Sequence, residues 1–401
     1  MKKASVTMGL AAGLVALLLA SGAKAQDITI AWKVTDHNLS NGYLPKVASD
    51  GQNTVAIIDM SSGGSVVPVF PPVLPISAFQ YQIGAIEQAS VLWAGAPMDL
   101  YGPTLQIGHG PSIALAFETG YPNCDDAIEF HQGGQDKDGS LWYQLGKNCA
   151  KFKDIHWADA VRHGIGYNAT VAADLNSVQA KKDPTVTVVE VHQEANGESN
   201  LDYTVGALAL GHSPSITWGE TTAITESNGN GGATPVQGAL PTVSVANNFV
   251  VLVFEGADGA LMYSTGLVDT TTSTIAWNAP VMYGNGYDPT VSVFGDGTTT
   301  FGISEPWVVV EAHQVASGPP PLLNGGVSLV SNTGFLTGSA SPITWSTPMN
   351  IAYATGCNPS VALFFNNEFQ ATNVSLAETH ETECDITSGV DYGFGDLLVS
   401  E

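Results

Sequence analysis

A glutamate is followed two residues later by a histidine four times in this chain: Glu129 with His131, Glu190 with His192, Glu311 with His313, and Glu378 with His380. Gln132, Gln193 and Gln314 follow the first three pairs, and Glu381 follows the fourth. The flanking residues are β-branched or apolar, as in "VVEVHQ" and "VVVEAHQ", and residues two apart on a strand point to one face. Such a pair can do acid/base work, supply half of a metal site, or satisfy its own buried polarity. A catalytic centre needs one asymmetric constellation. Four copies suit a repeated packing contact or several equivalent ligand pockets, as in a multivalent lectin.

The elements around the pairs repeat as well. A tripeptide ending in tryptophan recurs about every sixty residues, at Trp32, Trp93, Trp157, Trp218, Trp277 and Trp345. After each comes a Gly-led turn: "GYLPKVAS", "GHGPSIAL", "GYNATVAA", "GALPTVSV", "GYDPTVSV" and "GCNPSVAL". Pro45, Pro241, Pro289 and Pro359 share one position with Ala169, and Pro111 reads as slightly shifted. A β-rich run follows ("TVAIIDM", "AIEFHQ", "VVEVHQ", "VVLVFEG", "VVVEAHQ", "LAETHE"), then a third strand ("AFQYQIG", "LWYQLG", "LDYTVG", "LMYSTG", "VSLVSNTG"). Four short strands per unit, separated by Gly, Asp and Asn turns, predict an all-β, six-bladed β-propeller of four-stranded antiparallel blades. The last unit lacks its tryptophan strand, while "DITIAW" at the start is a fourth strand without a blade. The ring is therefore expected to close by pairing that N-terminal strand with the last blade, which leaves no free edge.

Residues 1–25 read as a signal peptide, with "MKK", an apolar "GLAAGLVALLLA" and a small-residue "AKA" before Gln26. One propeller domain is then expected over 26–401, with blades at roughly 42–93, 108–157, 164–218, 238–277, 284–345 and 356–401 plus 27–32. Losing the leader removes three of the twelve basic residues, against 37 acidic ones. So negative a surface disfavours nucleic acid as a partner, and no apolar run after the leader is long enough for membrane insertion. The location implied is periplasmic or secreted. Four cysteines in an exported chain suggest two disulfides, and strand placement favours Cys124–Cys149 at one end of a blade and Cys357–Cys384 at the other end of the last.

The tryptophans are either inter-blade core residues or sugar-stacking platforms. Asp136 and Asp138 in "QDKDGSLWY" could belong to a calcium loop or to an ordinary Asp-Gly hairpin turn, and no other cofactor or metal is indicated. Three long insertions (61–77, 220–239 and 315–326) emerge on one face. Two of them carry apolar residues, with Val69 and Phe70 in the first and Leu322 and Leu323 in the third, as candidate contacts for a partner.

The units read approximately "GYNPSVAL…VVEVHQ…LWYxVG…ITWG" and resemble a family of bacterial exported repeat proteins. That resemblance covers nearly the whole mature chain and implies a propeller without an assigned activity. In blade number the chain is also similar to six-bladed sialidases and fungal fucose lectins. Both rely on arginines to grip their ligands, and Arg162 is the single arginine here, so those likenesses stop at architecture. The function expected is a non-catalytic binding module for a glycan or a protein ligand. The alternatives are a glycan hydrolase or lyase with its centre over the axial channel, or a structural envelope protein. No oligomeric state is implied.

Overall fold

A computed structural model describes residues 27–51, 54–61, 77–87, 90–94, 97–100, 107–117, 124–133, 139–149, 154–174, 185–195, 199–211, 213–227, 232–295, 307–315, 327–336, 342–365, 374–384 and 389–400. They form a ring of six four-stranded antiparallel blades. The inner strands are Gly42–Ser49, Ile107–Phe117, Tyr167–Ala173, Ala239–Ala246, Tyr287–Phe294 and Cys357–Phe365. Each inner strand touches its neighbours, and the last touches the first. The second strands are Thr54–Ser61, Asp125–Gly133, Thr185–Gln193, Phe249–Glu255, Trp307–Val315 and Val374–Glu381. The third are Ser77–Glu87, Ser140–Asn148, Leu201–Ala209, Ala260–Asp269, Ser328–Leu336 and Val390–Ser400. As expected, the N-terminal strand Asp27–Ser40 pairs with Val390–Ser400 and completes the sixth blade.

The Gly-led turn has one conformation in all six blades. Leu44, Asn168, Leu240, Asp288 and Asn358 take φ of 52°, 51°, 46°, 48° and 51°, and Gly110 takes 54°. Each left-handed residue makes a β-bulge, after which pairing resumes at Lys46, Ser112, Thr170, Thr242, Thr290 or Ser360. Proline follows in five blades because the bulge asks for no ladder N–H there. Pro111 is in the same register as the others, so the shift read from sequence is corrected. Gly110 occupies the left-handed position, and Gly108 is the leading glycine.

The third-strand glycine has a steric cause. A Cβ at Gly206 would lie 2.6 Å from Trp218, and one at Gly146 would lie 2.7 Å from Trp157. The backbone there is the seat of the tryptophan ring on the fourth strand of the same blade. Gly206→Ala is expected to cost about 1–3 kcal/mol by overpacking a rigid ring, which a urea unfolding curve measures; an unchanged midpoint would contradict this account.

Both cysteine pairs are joined as expected, Cys124 to Cys149 and Cys357 to Cys384. Two features exceed the sequence reading. The fourth strand of five blades is split, and its second half (Met98–Asp99, Val161–Ile165, Thr222–Ala223, Val281–Asn285 or Ile351–Thr355) also pairs with the third strand. The 220–239 insertion holds a small hairpin, Thr225–Ser227 against Ala233–Pro235. Among the described residues, no helix is long and apolar enough to cross a membrane.

Candidate functional site at the axial mouth

The four Glu–His pairs lie between blades, closed to solvent. Their carboxylates are 0–1% exposed and their imidazoles 0–2%. Each histidine Nδ1 meets the glutamate two residues before it, at 2.9 Å for His131, 2.8 Å for His192, 3.0 Å for His313 and 3.1 Å for His380. A donor from the split outer strand of the preceding blade caps three of the carboxylates. The Tyr283 hydroxyl donates to Glu311 (2.8 Å), the Tyr353 hydroxyl donates to Glu378 (2.9 Å), and His163 Nε2 stands 3.5 Å from Glu190. Burial disfavours ionised Glu190, but its two imidazoles outweigh burial and hold the carboxyl below the usual range. Burial also opposes the His192 imidazolium, yet Glu190 and Asp202 carry its pKa above the ordinary value.

Five of the six repeated tryptophans meet the third-strand tyrosine of the preceding blade edge to face. The pairs are Trp93 with Tyr392, Trp157 with Tyr81, Trp218 with Tyr143, Trp277 with Tyr203, and Trp345 with Tyr263, with centroids 5.5–6.0 Å apart. Blade 5 has Ser331 in the tyrosine position, and there Trp32 stacks on Tyr353 at 4.8 Å instead. These contacts suit the ring quadrupoles.

Sixfold repetition also fails at the axis. The six residues just past the bulges line an axial cavity of about 70 Å³: Ser112, Thr170, Thr242, Thr290, Ser360 and Lys46. Five hydroxyls and one ammonium thus share one level of the channel. Above them, at the mouth, polar groups from successive blades join into a partial ring. Leu44 N–H and Asn358 Nδ2 both donate to Glu381 Oε1 at 2.6 Å, and Asp288 N–H donates to Glu255 Oε1 at 2.6 Å. Leu240 N–H donates to Gln193 Oε1 at 3.3 Å, Asn168 also donates to Gln193, and Gln314 donates to Asp288. Gln193, Gln314 and Glu381, each the residue after a histidine, therefore reach the inner-strand turns, whereas the Glu–His pairs stay between blades.

Burial sets the electrostatics of the mouth. It pushes the Glu381 carboxyl up to about 7, against the hydrogen bonds from Leu44 and Asn358. It also raises Asp288, with Lys46 and Gln314 pulling the other way, and raises Glu255. The Lys46 amine is lowered by the same burial, although the charges of Asp288 and Glu381 work to raise it. A cation, carboxyls raised by burial, amides and hydroxyls around one concavity can bind a polyhydroxylated group or exchange protons with it.

The sequence did hold a signal for this site. "GYLPKVAS" carries lysine where the other five turns carry serine or threonine, and "GYDP" carries an acid at the left-handed position. Both are departures from the repeat inside segments otherwise read as repeat. Val69, Phe70, Leu322 and Leu323, and the calcium candidates Asp136 and Asp138, lie outside the described residues. Among the described residues no group of His, Cys, Asp or Glu is arranged to hold a metal ion.

No family model matches this sequence, and no curated protein matches it. Among solved structures, the chain is similar to a neuraminidase-like protein of A/flat-faced bat/Peru, at TM-score 0.48 and 9% identity over 93% of each chain. It is similar to a neuraminidase-like protein from A/bat/Guatemala, at TM-score 0.47 and 9% identity over 91% of this chain and 94% of that one. A further similarity is to the GH93 α-L-arabinofuranosidase of Fusarium graminearum in complex with arabinobiose, at TM-score 0.48 and 12% identity over 90% of this chain and 97% of that one.

Proposed function

We propose that this chain is an exported glycan-binding propeller that holds one ligand end at the axial mouth. The observation that carries the reading is the break in sixfold repetition there. Lys46 replaces a hydroxyl on the channel wall, and Asp288, Glu255 and Glu381 stand where other blades place amides or apolar groups. Sugar hydroxyls need donors and acceptors in fixed directions. Asn168, Gln193, Gln314 and Asn358 supply planar amides, the carboxyls supply acceptors, and Lys46 supplies a charged donor. A cavity of about 70 Å³ admits only the tip of a ligand, so the reading is recognition of a chain end and not of an internal segment. The Glu–His pairs and the tryptophans belong, in this reading, to the joints between blades.

The test is a glycan array, followed by calorimetry, on the mature protein 26–401. Selective binding is expected, weakened at least about tenfold (1.4 kcal/mol) in a folded Lys46→Met or Asp288→Asn variant. Binding that ignores both variants would remove the axial site from consideration, and a blank array would turn attention to a protein ligand. A second reading, glycan cleavage at the same mouth, draws on the Glu381 carboxyl near 7, a value suited to acid/base work. It requires turnover of a bound glycan with a pH profile that Glu381→Gln abolishes.

A further inference from the structure

We propose that Lys46 is a reactive amine that forms a reversible imine with the aldehyde group of a small carbonyl compound admitted to the axial cavity. This goes beyond glycan binding and does not rest on it, since the chemistry needs an aldehyde and not a sugar.

Four observations converge on this lysine. It is the single amine on a channel level otherwise made of five hydroxyls. Its surface is partly exposed, and the space it lines is the axial cavity. Among the described ion pairs, lysines 33 and 147 lie against Asp396 and Asp126, whereas Lys46 has no carboxylate within 4 Å. Burial destabilises its ammonium form, so more of it is the uncharged nucleophile than for a lysine in water. Desolvated lysines of this kind are the ones that form Schiff bases.

The step balances within the site. The nitrogen lone pair of the uncharged amine adds to the carbonyl carbon, and a proton passes from that nitrogen to the carbonyl oxygen to give a neutral carbinolamine. Protonation of that hydroxyl then expels it as water, the nitrogen loses its proton, and a carbon–nitrogen double bond remains. One amine and one aldehyde become one imine and one water, with no oxidant or reductant. Loss of water needs an acid that can also take its proton back near neutral pH. Glu381, titrating at about 7 and close enough for its charge to act on Lys46, has that property.

The test treats the folded mature chain at pH 7 with glycolaldehyde and cyanoborohydride, which reduces the imine to a stable secondary amine, and maps adducts by peptide mass spectrometry. Each unit by which burial lowers an amine pKa raises its uncharged fraction about tenfold. Lys46 is therefore expected to be modified at least about tenfold faster than Lys33 or Lys147, an advantage that disappears in urea. Glu381→Gln is expected to slow the Lys46 adduct and leave the others unchanged. Adducts forming at Lys46 no faster than at Lys33 and Lys147 in the folded protein would overturn the proposal. Because the readout is a covalent adduct in the unmutated chain, it is independent of whether any glycan binds.

Discussion

A Glu378→Leu variant is expected to lose about 3–5 kcal/mol of stability, and most of that loss is expected to return when His380→Phe and Tyr353→Phe are added. Glu378 is 1% exposed, accepts from the Tyr353 hydroxyl at 2.9 Å and lies 3.1 Å from His380 Nδ1. Removing the carboxylate leaves a buried phenol and a buried imidazole that have given up water and lost a partner. Such groups cost far more orphaned than the network contributes when complete. The protein carries its own control in blade 4. There the register places Leu252 at the glutamate position and Phe254 at the histidine position, and Ile224 takes the place of the capping tyrosine. All three are buried in one apolar cluster. In blade 4 the joint is thus wholly apolar, and there no member has changed alone. Urea unfolding of the single and triple variants decides the matter. A triple variant no more stable than the single one would show that the polar set does something other than join blades.

The architecture was legible because a propeller states each structural demand six times. The tryptophan, the third-strand glycine and the Gly-led turn are each one steric requirement, and repetition separates them from chance. The seat of Trp218 on Gly206 could not be read directly, but its consequence, a glycine closing the third-strand run ahead of the tryptophan, could. The axial site was hidden for the opposite reason. Lys46, Asp288, Glu255 and Glu381 come from four blades, are far apart in sequence, and meet only because the ring closes. Reading for similarity finds what the blades share, whereas a site on the axis consists of what they do not. Glu381 shows this best. As a near match to glutamine it looked like noise in the Glu–His motif, yet it accepts two hydrogen bonds at the mouth. The split fourth strands were missed because segments such as "VRHGI" and "IAYAT" are half exposed and lack alternation.

Stability is expected to rise on acidification from pH 8 to pH 5, on the order of 3 kcal/mol, against the usual behaviour of an acidic protein. The cause is a set of buried carboxyls whose folded pKa values lie above their unfolded ones. Burial, reinforced by the neighbouring Asp50 charge, pushes Asp125 up to about 8, and burial pushes Asp59 and Glu381 up to about 7. Between the ordinary carboxylate range and those values, the folded chain holds protons that the unfolded chain has released. Unfolding then releases protons, so raising the pH favours the unfolded state throughout that window, and lowering it favours the fold. His192, also raised, acts in the same direction: its stabilisation is present below its unfolded value and lost as pH climbs through the folded one. Glu190, held low by its two imidazoles, loses its contribution only below the ordinary carboxylate range, outside the window. Lys46 works in the opposite sense, favouring the fold as pH rises toward 10.5. Urea unfolding at pH 5, 6, 7 and 8 measures the slope, and Asp125→Asn should flatten it, because the amide supplies permanently what the proton supplies only below about pH 8. Asp125 receives the Thr54 hydroxyl at 2.8 Å at the junction of blades 1 and 2, so its ionisation places a second charge beside Asp50 inside that joint. A midpoint that is level, or that climbs with pH across this range, would mean that these carboxyls ionise freely in the folded ring and that the joint between blades 1 and 2 is open to water.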